Sequence, residues 1–256
     1  MIIAFWNICH KNLVDEIEEL CKCNNIDIVC IAENPEGEYL VPGYNLVKSI
    51  GKLKIFSRYS LEIVNLLIES ERYTILSVEN PFIKKIIIAF CHLIPKVNYS
   101  MESKLIESQI LSKTINDISE IKENRNVLIS GDFNLNPFDS PMISAGGFHS
   151  TNDPEIAKKG SRVVQGKQYM YYYNPMWTFY GNTKRPFGTF FYYSSDYCVL
   201  NWEILDNYLL SSDLVQYYKR VELIEYIDGK NLLHNDGRIN RDDYSDHLPV
   251  LLELTV

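Results

Sequence analysis

Seven polar residues lie where a folded chain can least tolerate them. Asn7, Glu33, His92, Asp132, Asn134, Asp246 and His247 each fall inside or just after an apolar run, where burying an unpaired ionisable group is costly. They need partners, and one another plus a cation is an economical solution. Carboxylate oxygens helped by an Asn amide suit a hard ion such as Mg²⁺ or Mn²⁺. Phosphoryl transfer needs the same mixture: a cation to neutralise phosphate charge, a carboxylate or histidine to activate water, and donors to hold the non-bridging oxygens. Any one of the seven alone reads as a turn cap, a satisfied core histidine or a backbone-bonded amide. Only as a set do they point to chemistry.

Strand ends must position them. The run Ile2 to Ile8 suits a buried strand, and Asn12 is placed to cap a helix carrying Leu13, Ile17, Leu20 and Cys21 at helical spacing. Ile26 to Ala32 follows as a second buried strand that Glu33 closes, an opening that favours an α/β architecture. After Pro42-Gly43, the segments Tyr44 to Ile50, Lys52 to Ser57, Leu61 to Ile68, Tyr73 to Val78 and Lys85 to His92 read as short strands with tight, antiparallel connections. Leu105 to Ile121 carries Leu105, Ile106, Ile110, Leu111, Ile115 and Ile118 as an amphipathic helix. Asn126 to Ser130 returns to strand just before Gly131-Asp132-Phe133-Asn134, and the chain beyond Asn201 is again strand-like, ending in Leu248 to Val256.

The bulk properties bound the rest. A chain of 256 residues, 46% hydrophobic and without a linker-like composition break, reads as one domain over residues 1–256. A net charge of −8 argues against holding nucleic acid by bulk attraction, though not against turning a polyanion over. Cys9, Cys30 and Cys91 lie in apolar runs and read as buried free thiols, and Cys21-Lys22-Cys23 lacks a second ligand pair for zinc. With no leader-like start and no apolar stretch long enough to span a bilayer, the expectation is a cytoplasmic protein.

The ordered motifs Trp6-Asn7, Ile31-Ala32-Glu33, Ile55-Phe56-Ser57-Arg58, Cys91-His92-Leu93, Gly131-Asp132-Phe133-Asn134 and Ser245-Asp246-His247-Leu248-Pro249 resemble the endonuclease/exonuclease/phosphatase superfamily, which includes deoxyribonuclease I. The resemblance implies a four-layered α/β sandwich, two mixed sheets face to face with flanking helices, and a site at one end of the sheets. It implies that Glu33 binds Mg²⁺ or Mn²⁺ with Asn7 and Asp246 completing or supporting the shell. Asp132 would orient or deprotonate water, Asn134 would hold the water or a phosphate oxygen, and His247 would contact the scissile phosphate. His92 matches the deoxyribonuclease I and sphingomyelinase-like branches, whereas Leu93-Ile94-Pro95-Lys96 lacks the Pro-Asn-Gly run of the abasic-site branch. An Asp that orients the final histidine has two matches, Asp206 and Asp196; Asp206 is favoured by its downstream Leu-Leu-Ser and its distance from Asp246.

Between Ile156 and Ser195 there is no Asp or Glu, while Lys158, Lys159, Arg162, Lys167, Lys184 and Arg185 stand among aromatics that include Tyr172 and Trp177. Basic groups with interleaved aromatics can track a phosphate backbone and stack bases. We assign Lys158, Lys159, Lys184, Arg185, Tyr172 and Trp177 as substrate-binding, expect them near the catalytic end, and expect a nuclease acting on DNA or RNA. The alternatives are a phosphatase or phospholipase acting on an inositol phosphate or lipid headgroup, and an inactive binding module that keeps the fold.

Overall fold

A computed structural model describes residues 1–48, 52–80, 83–193 and 199–255. The strands β1 (Ile2–Asn7), β2 (Ile28–Ala32), β3 (Asn45–Lys48) and β4 (Leu53–Ser57) build one sheet with the strands Tyr218–Leu223 and Val250–Leu254. In space that sheet runs Tyr218–Leu223, Val250–Leu254, β1, β2, β4, β3. The second sheet contains β5 (Val64–Glu69), β6 (Tyr73–Asn80), β7 (Lys84–His92) and β8 (Val127–Asp132), then the strands Asp206–Ser211, Tyr172–Tyr173 and Ser150–Thr151. Each sheet is mixed, because β1 runs parallel to β2 and β7 parallel to β8 among antiparallel neighbours.

Period-two alternation sorts the core into layers. In β1, Ile3 and Phe5 face Leu76, Ile86, Ile88, Phe90, Leu128 and Tyr208 of the other sheet. Ala4 and Trp6 face outward, onto Ile17, Leu20 and Cys21 of α1 (Val14–Cys23). In β7, Ile87, Ala89 and Cys91 face Leu111, Ile115 and Ile118 of α2 (Met101–Ile121). The order helix, sheet, sheet, helix is the four-layered sandwich. Apolar faces on both sides explain why β1, β2 and β7 read as continuous apolar runs rather than alternating ones.

Two helix expectations need correction. Helix α1 begins at Val14, and the residue before it, Leu13, makes no side-chain cap, so Asn12 is not the cap. In α2 the start is earlier than Leu105, with Ser100 accepting from the Ser103 amide. Its buried stripe is Lys104, Ser108, Leu111, Ile115 and Ile118, while Ile106 and Ile110 are more than half exposed. The five described cysteines are free, as expected, though Cys23 is exposed and Cys9 half-buried. None of the described helices is long and apolar enough to cross a membrane.

Gly131 shows how closely the ends of β7 and β8 are built. Its φ is +150°, and a Cβ there would sit 1.9 Å from the Cys91 carbonyl oxygen on the neighbouring strand. Backbone cannot yield as a flexible side chain can. Gly131→Ala should therefore destabilise the fold by at least about 3 kcal/mol, read as a shifted midpoint in chemical denaturation.

Candidate active site

Strand ends deliver the site. β1 ends at Asn7, β2 is followed by Glu33, β7 ends at His92 and β8 at Asp132, while Asp206 begins the antiparallel strand beside β8. A cleft of about 160 Å³ is lined by Asn7, Glu33, Lys52, His92, Pro95, Asp132, Asn134, Phe190, Leu205, Asp246 and His247. All seven residues singled out for their unfavourable burial reach this cleft. Glu33 and Asn134 follow their strands with φ near +50°, a left-handed conformation that only a few per cent of non-glycine residues adopt.

Asp132 is gripped from two sides. The Asn7 amide donates to its Oδ2 at 3.1 Å and the Asn134 backbone amide to its Oδ1 at 2.8 Å. His92 places Nε2 3.7 Å from Asp132 Oδ2 and 3.4 Å from Glu33 Oε1, and its buried Nδ1 has no partner among the described residues. The Asn134 side chain donates to Leu93 O at 3.0 Å, which ties the ends of β7 and β8 together.

His247 lies 2.7 Å from Asp206, Nδ1 to Oδ2, with both residues buried. Asp196, the other candidate for that carboxylate, lies outside the described residues. Burial alone would lower the His247 pKa, but the carboxylates of Asp206, Asp132 and Asp246 outweigh it and raise the pKa to about 10. Nδ1 faces Asp206, and the raised pKa favours the protonated ring, in which Nε2 is the second donor. Ser245 Oγ accepts from the His247 amide and donates to Asn7 O at 2.6 Å, and Trp6 Nε1 donates to His247 O at 2.9 Å. The ring of Phe190 rests 4.9 Å from the imidazole.

The donor set fits a divalent cation. Asp132, Asp206 and His247 bring side-chain atoms within 4.8 Å of one another, but His247 is held by Asp206 and favoured in its protonated form, so the hard oxygens of Glu33, Asp132 and Asp246 with the Asn7 amide are the donors that suit such an ion. Glu33, Asp132 and Asp246 line one small cleft, where an approaching phosphate would meet repulsion on the order of 4 kcal/mol per carboxylate at 4 Å and an effective dielectric of 20. A bound cation removes that repulsion.

The basic segment divides. Tyr172 pairs with Ser211, at the far end of the strand that Asp206 begins, and Gly160 O accepts from the Tyr171 amide. Five residue steps of strand separate these ends, roughly 17 Å. Lys158 and Lys159 thus belong to the end of the sheet away from the cleft, and Lys158 is paired with Glu155 at 2.6 Å. The expectation that the whole segment borders the catalytic end is corrected. Tyr172 is 3% exposed and packed against the α2 side of the sheet, which removes it as a stacking surface. Lys184 and Arg185 are exposed in the loop that continues to Thr189 and Phe190 at the cleft, and Arg185 donates to Asp236 O at 2.8 Å. Trp177 is half-buried in a short 3₁₀ helix, Pro175–Gly181.

Sequence reasoning missed several supports. Thr189 Oγ1 accepts from the amides of Leu205 and Asp206, fixing the start of the Asp206 strand. Lys104, 2% exposed, donates to Ile94 O at 3.0 Å and Asn134 O at 2.8 Å, joining α2 to the loops that follow β7 and β8. Burial lowers its pKa to about 8. Its one signal was a polar residue in register with the buried face of an amphipathic helix.

No protein-family model matches the chain, and no curated protein matches its sequence. Solved structures do match. A 3′ phosphatase from Neisseria bound to a product DNA hairpin is similar at 15% identity over 100% of both chains, TM-score 0.57. An AP endonuclease from Archaeoglobus fulgidus is similar at 15% identity over 100% of both, TM-score 0.59. An endonuclease/exonuclease/phosphatase family protein from Bacteroides thetaiotaomicron matches at 12% identity, covering 99% of this chain and 97% of its own, TM-score 0.59. With its two mixed sheets, flanking helices and full-length correspondence, the chain has the fold of the endonuclease/exonuclease/phosphatase superfamily.

Proposed function

We propose that the chain is a divalent-metal-dependent phosphodiesterase that hydrolyses nucleic acid. The observation that carries this reading is the convergence of Asn7, Glu33, His92, Asp132, Asn134, Asp246 and His247 on one cleft, with His247 Nδ1 held 2.7 Å from Asp206 Oδ2. Glu33, Asn7 and Asp246 would hold Mg²⁺ or Mn²⁺, which supplies Lewis-acid polarisation of the phosphate. Asp132, held at both oxygens, accepts the proton of the attacking water. His247 donates from Nε2 to a non-bridging oxygen whose charge grows as water attacks. Asn134 and His92 position the water and the phosphate. Among the similar structures, one is a nuclease by name and another is bound to product DNA, which supports nucleic acid over an inositol phosphate or lipid headgroup. Every residue expected to hold metal, water or phosphate lines the one cleft, which disfavours an inactive binding module.

The test is hydrolysis of plasmid, single-stranded DNA, RNA and bis-p-nitrophenyl phosphate with Mg²⁺ or Mn²⁺. Hydrolysis of none of the four would remove the reading.

The divided basic segment makes a prediction of its own. Lys184 and Arg185 share a loop with Phe190, whereas Lys158 and Lys159 lie at the far end of the sheet. Replacing Lys184 and Arg185 with Ser should raise KM on DNA or RNA and flatten the slope of log affinity against log salt by about 0.7 to 0.9 per lost phosphate contact. The Lys158, Lys159 double substitution should leave both unchanged, and neither pair should alter bis-p-nitrophenyl phosphate turnover.

A further inference from the structure

Beside the cleft, in the loop that follows Gly131-Asp132-Phe133-Asn134, Phe138 is 41% exposed. It packs edge-on to Trp177, ring centroids 6.5 Å apart, and tilted on Tyr180 at 5.6 Å; Trp177 and Tyr180 touch each other at 6.1 Å. Three mutually supporting rings hold Phe138 in place while leaving much of it open to solvent. We infer that Phe138, braced by Trp177 and Tyr180, is a stacking platform for an unpaired nucleobase next to the scissile phosphate, so that the substrate is single-stranded at that point. The inference rests on the phosphodiesterase reading and extends it to strandedness.

Three links tie the platform to the cleft. Phe138 is four residues beyond the cleft residue Asn134, a span of at most about 14 Å of chain. Tyr180 donates from its hydroxyl to Asn136 Oδ1 at 3.0 Å, within the same loop. Glu203 accepts from Asn136 Nδ2 at 3.1 Å and from Lys96 Nζ, and Lys96 follows the cleft residue Pro95. Glu203 also pairs across strands with Phe190, the ring that rests on His247.

The local charge decides which part of a nucleotide fits. Lys96 is neutralised by Glu203 and by Asp139 at 3.6 Å, so the patch offers a phosphate no free cation. A base, with an uncharged π-face and exocyclic amines, meets no such objection. In a continuous duplex the bases are stacked on their neighbours and unavailable to a side platform; in a single strand they are free to leave the stack.

The experiment compares wild type, Phe138→Ala, Phe138→Leu and Phe138→Trp. Anisotropy of a fluorescein-labelled single-stranded thymidylate 12-mer is read with Mg²⁺ in each protein carrying Asp132→Asn, which keeps the cation while slowing hydrolysis, and turnover of bis-p-nitrophenyl phosphate is read with Mg²⁺ without that substitution. Ala and Leu should each weaken oligomer binding at least about fivefold, the lower end of one lost base stack. Trp should restore it, and all four proteins should hydrolyse the small diester alike. The same oligomer annealed to its complement should bind wild type and Phe138→Ala equally. Unchanged oligomer binding in the Ala variant, or full rescue by Leu, would overturn the platform. Wild-type failure on the small diester, with the oligomer binding differences intact, would overturn the phosphodiesterase reading and leave the platform standing.

Discussion

Asp132→Asn and His247→Ala should each lower turnover of a small phosphodiester by at least about a hundredfold, the usual scale for one lost proton-transfer or oxyanion-stabilising group. Asn keeps the shape of Asp132 and can still receive the Asn134 amide at 2.8 Å, but it cannot accept a proton from water. Removing the imidazole deletes the ring that Asp206 holds at 2.7 Å and with it the Nε2 donor. The two lesions should fall mainly on kcat, since accepting the water proton and donating to a growing charge both act in the transition state. Asp206→Asn should follow His247→Ala, because the carboxylate fixes the imidazole tautomer and stabilises its charged form. Stopped assays on purified variants, with circular dichroism to check folding, measure all three. Near-normal rates in any two would show that the roles are misassigned.

How much of this was legible in the sequence depends on what each feature requires. Strands buried on both faces produce apolar runs that a single chain displays plainly, so β1, β2, β7 and β8 were readable, and the polar residues closing them stood out. The buried stripe of α2 was misread because Lys104 and Ser108 occupy it, while Ile106 and Ile110 face solvent. Lys104 is tolerated there because two carbonyls receive its ammonium, an arrangement of tertiary structure with no local signature. The basic segment was misplaced for a topological reason. A stretch lying between two site motifs in sequence can cross to either end of a strand, and Tyr172 pairing with Ser211 puts its first half at the wrong end for catalysis. Phe138 went unnoticed because a single aromatic after a turn looks like any other loop residue until Trp177 and Tyr180 are seen to brace it.

The second large effect is loss of the cation. Glu33, Asp132 and Asp246 line a cleft that must admit an anion, so without a cation the substrate faces repulsion that neither Lys52, exposed and solvated at the rim, nor His247, already paired with Asp206, offsets. Lewis-acid stabilisation worth several kcal/mol disappears at the same time. The most direct measurement is the rate of bis-p-nitrophenyl phosphate hydrolysis by the wild-type chain, first in excess chelator and then through a titration with Mg²⁺ or Mn²⁺. The expected result is a fall of at least about a hundredfold, followed by saturable recovery as the cation is returned. Undiminished turnover in excess chelator would contradict the account.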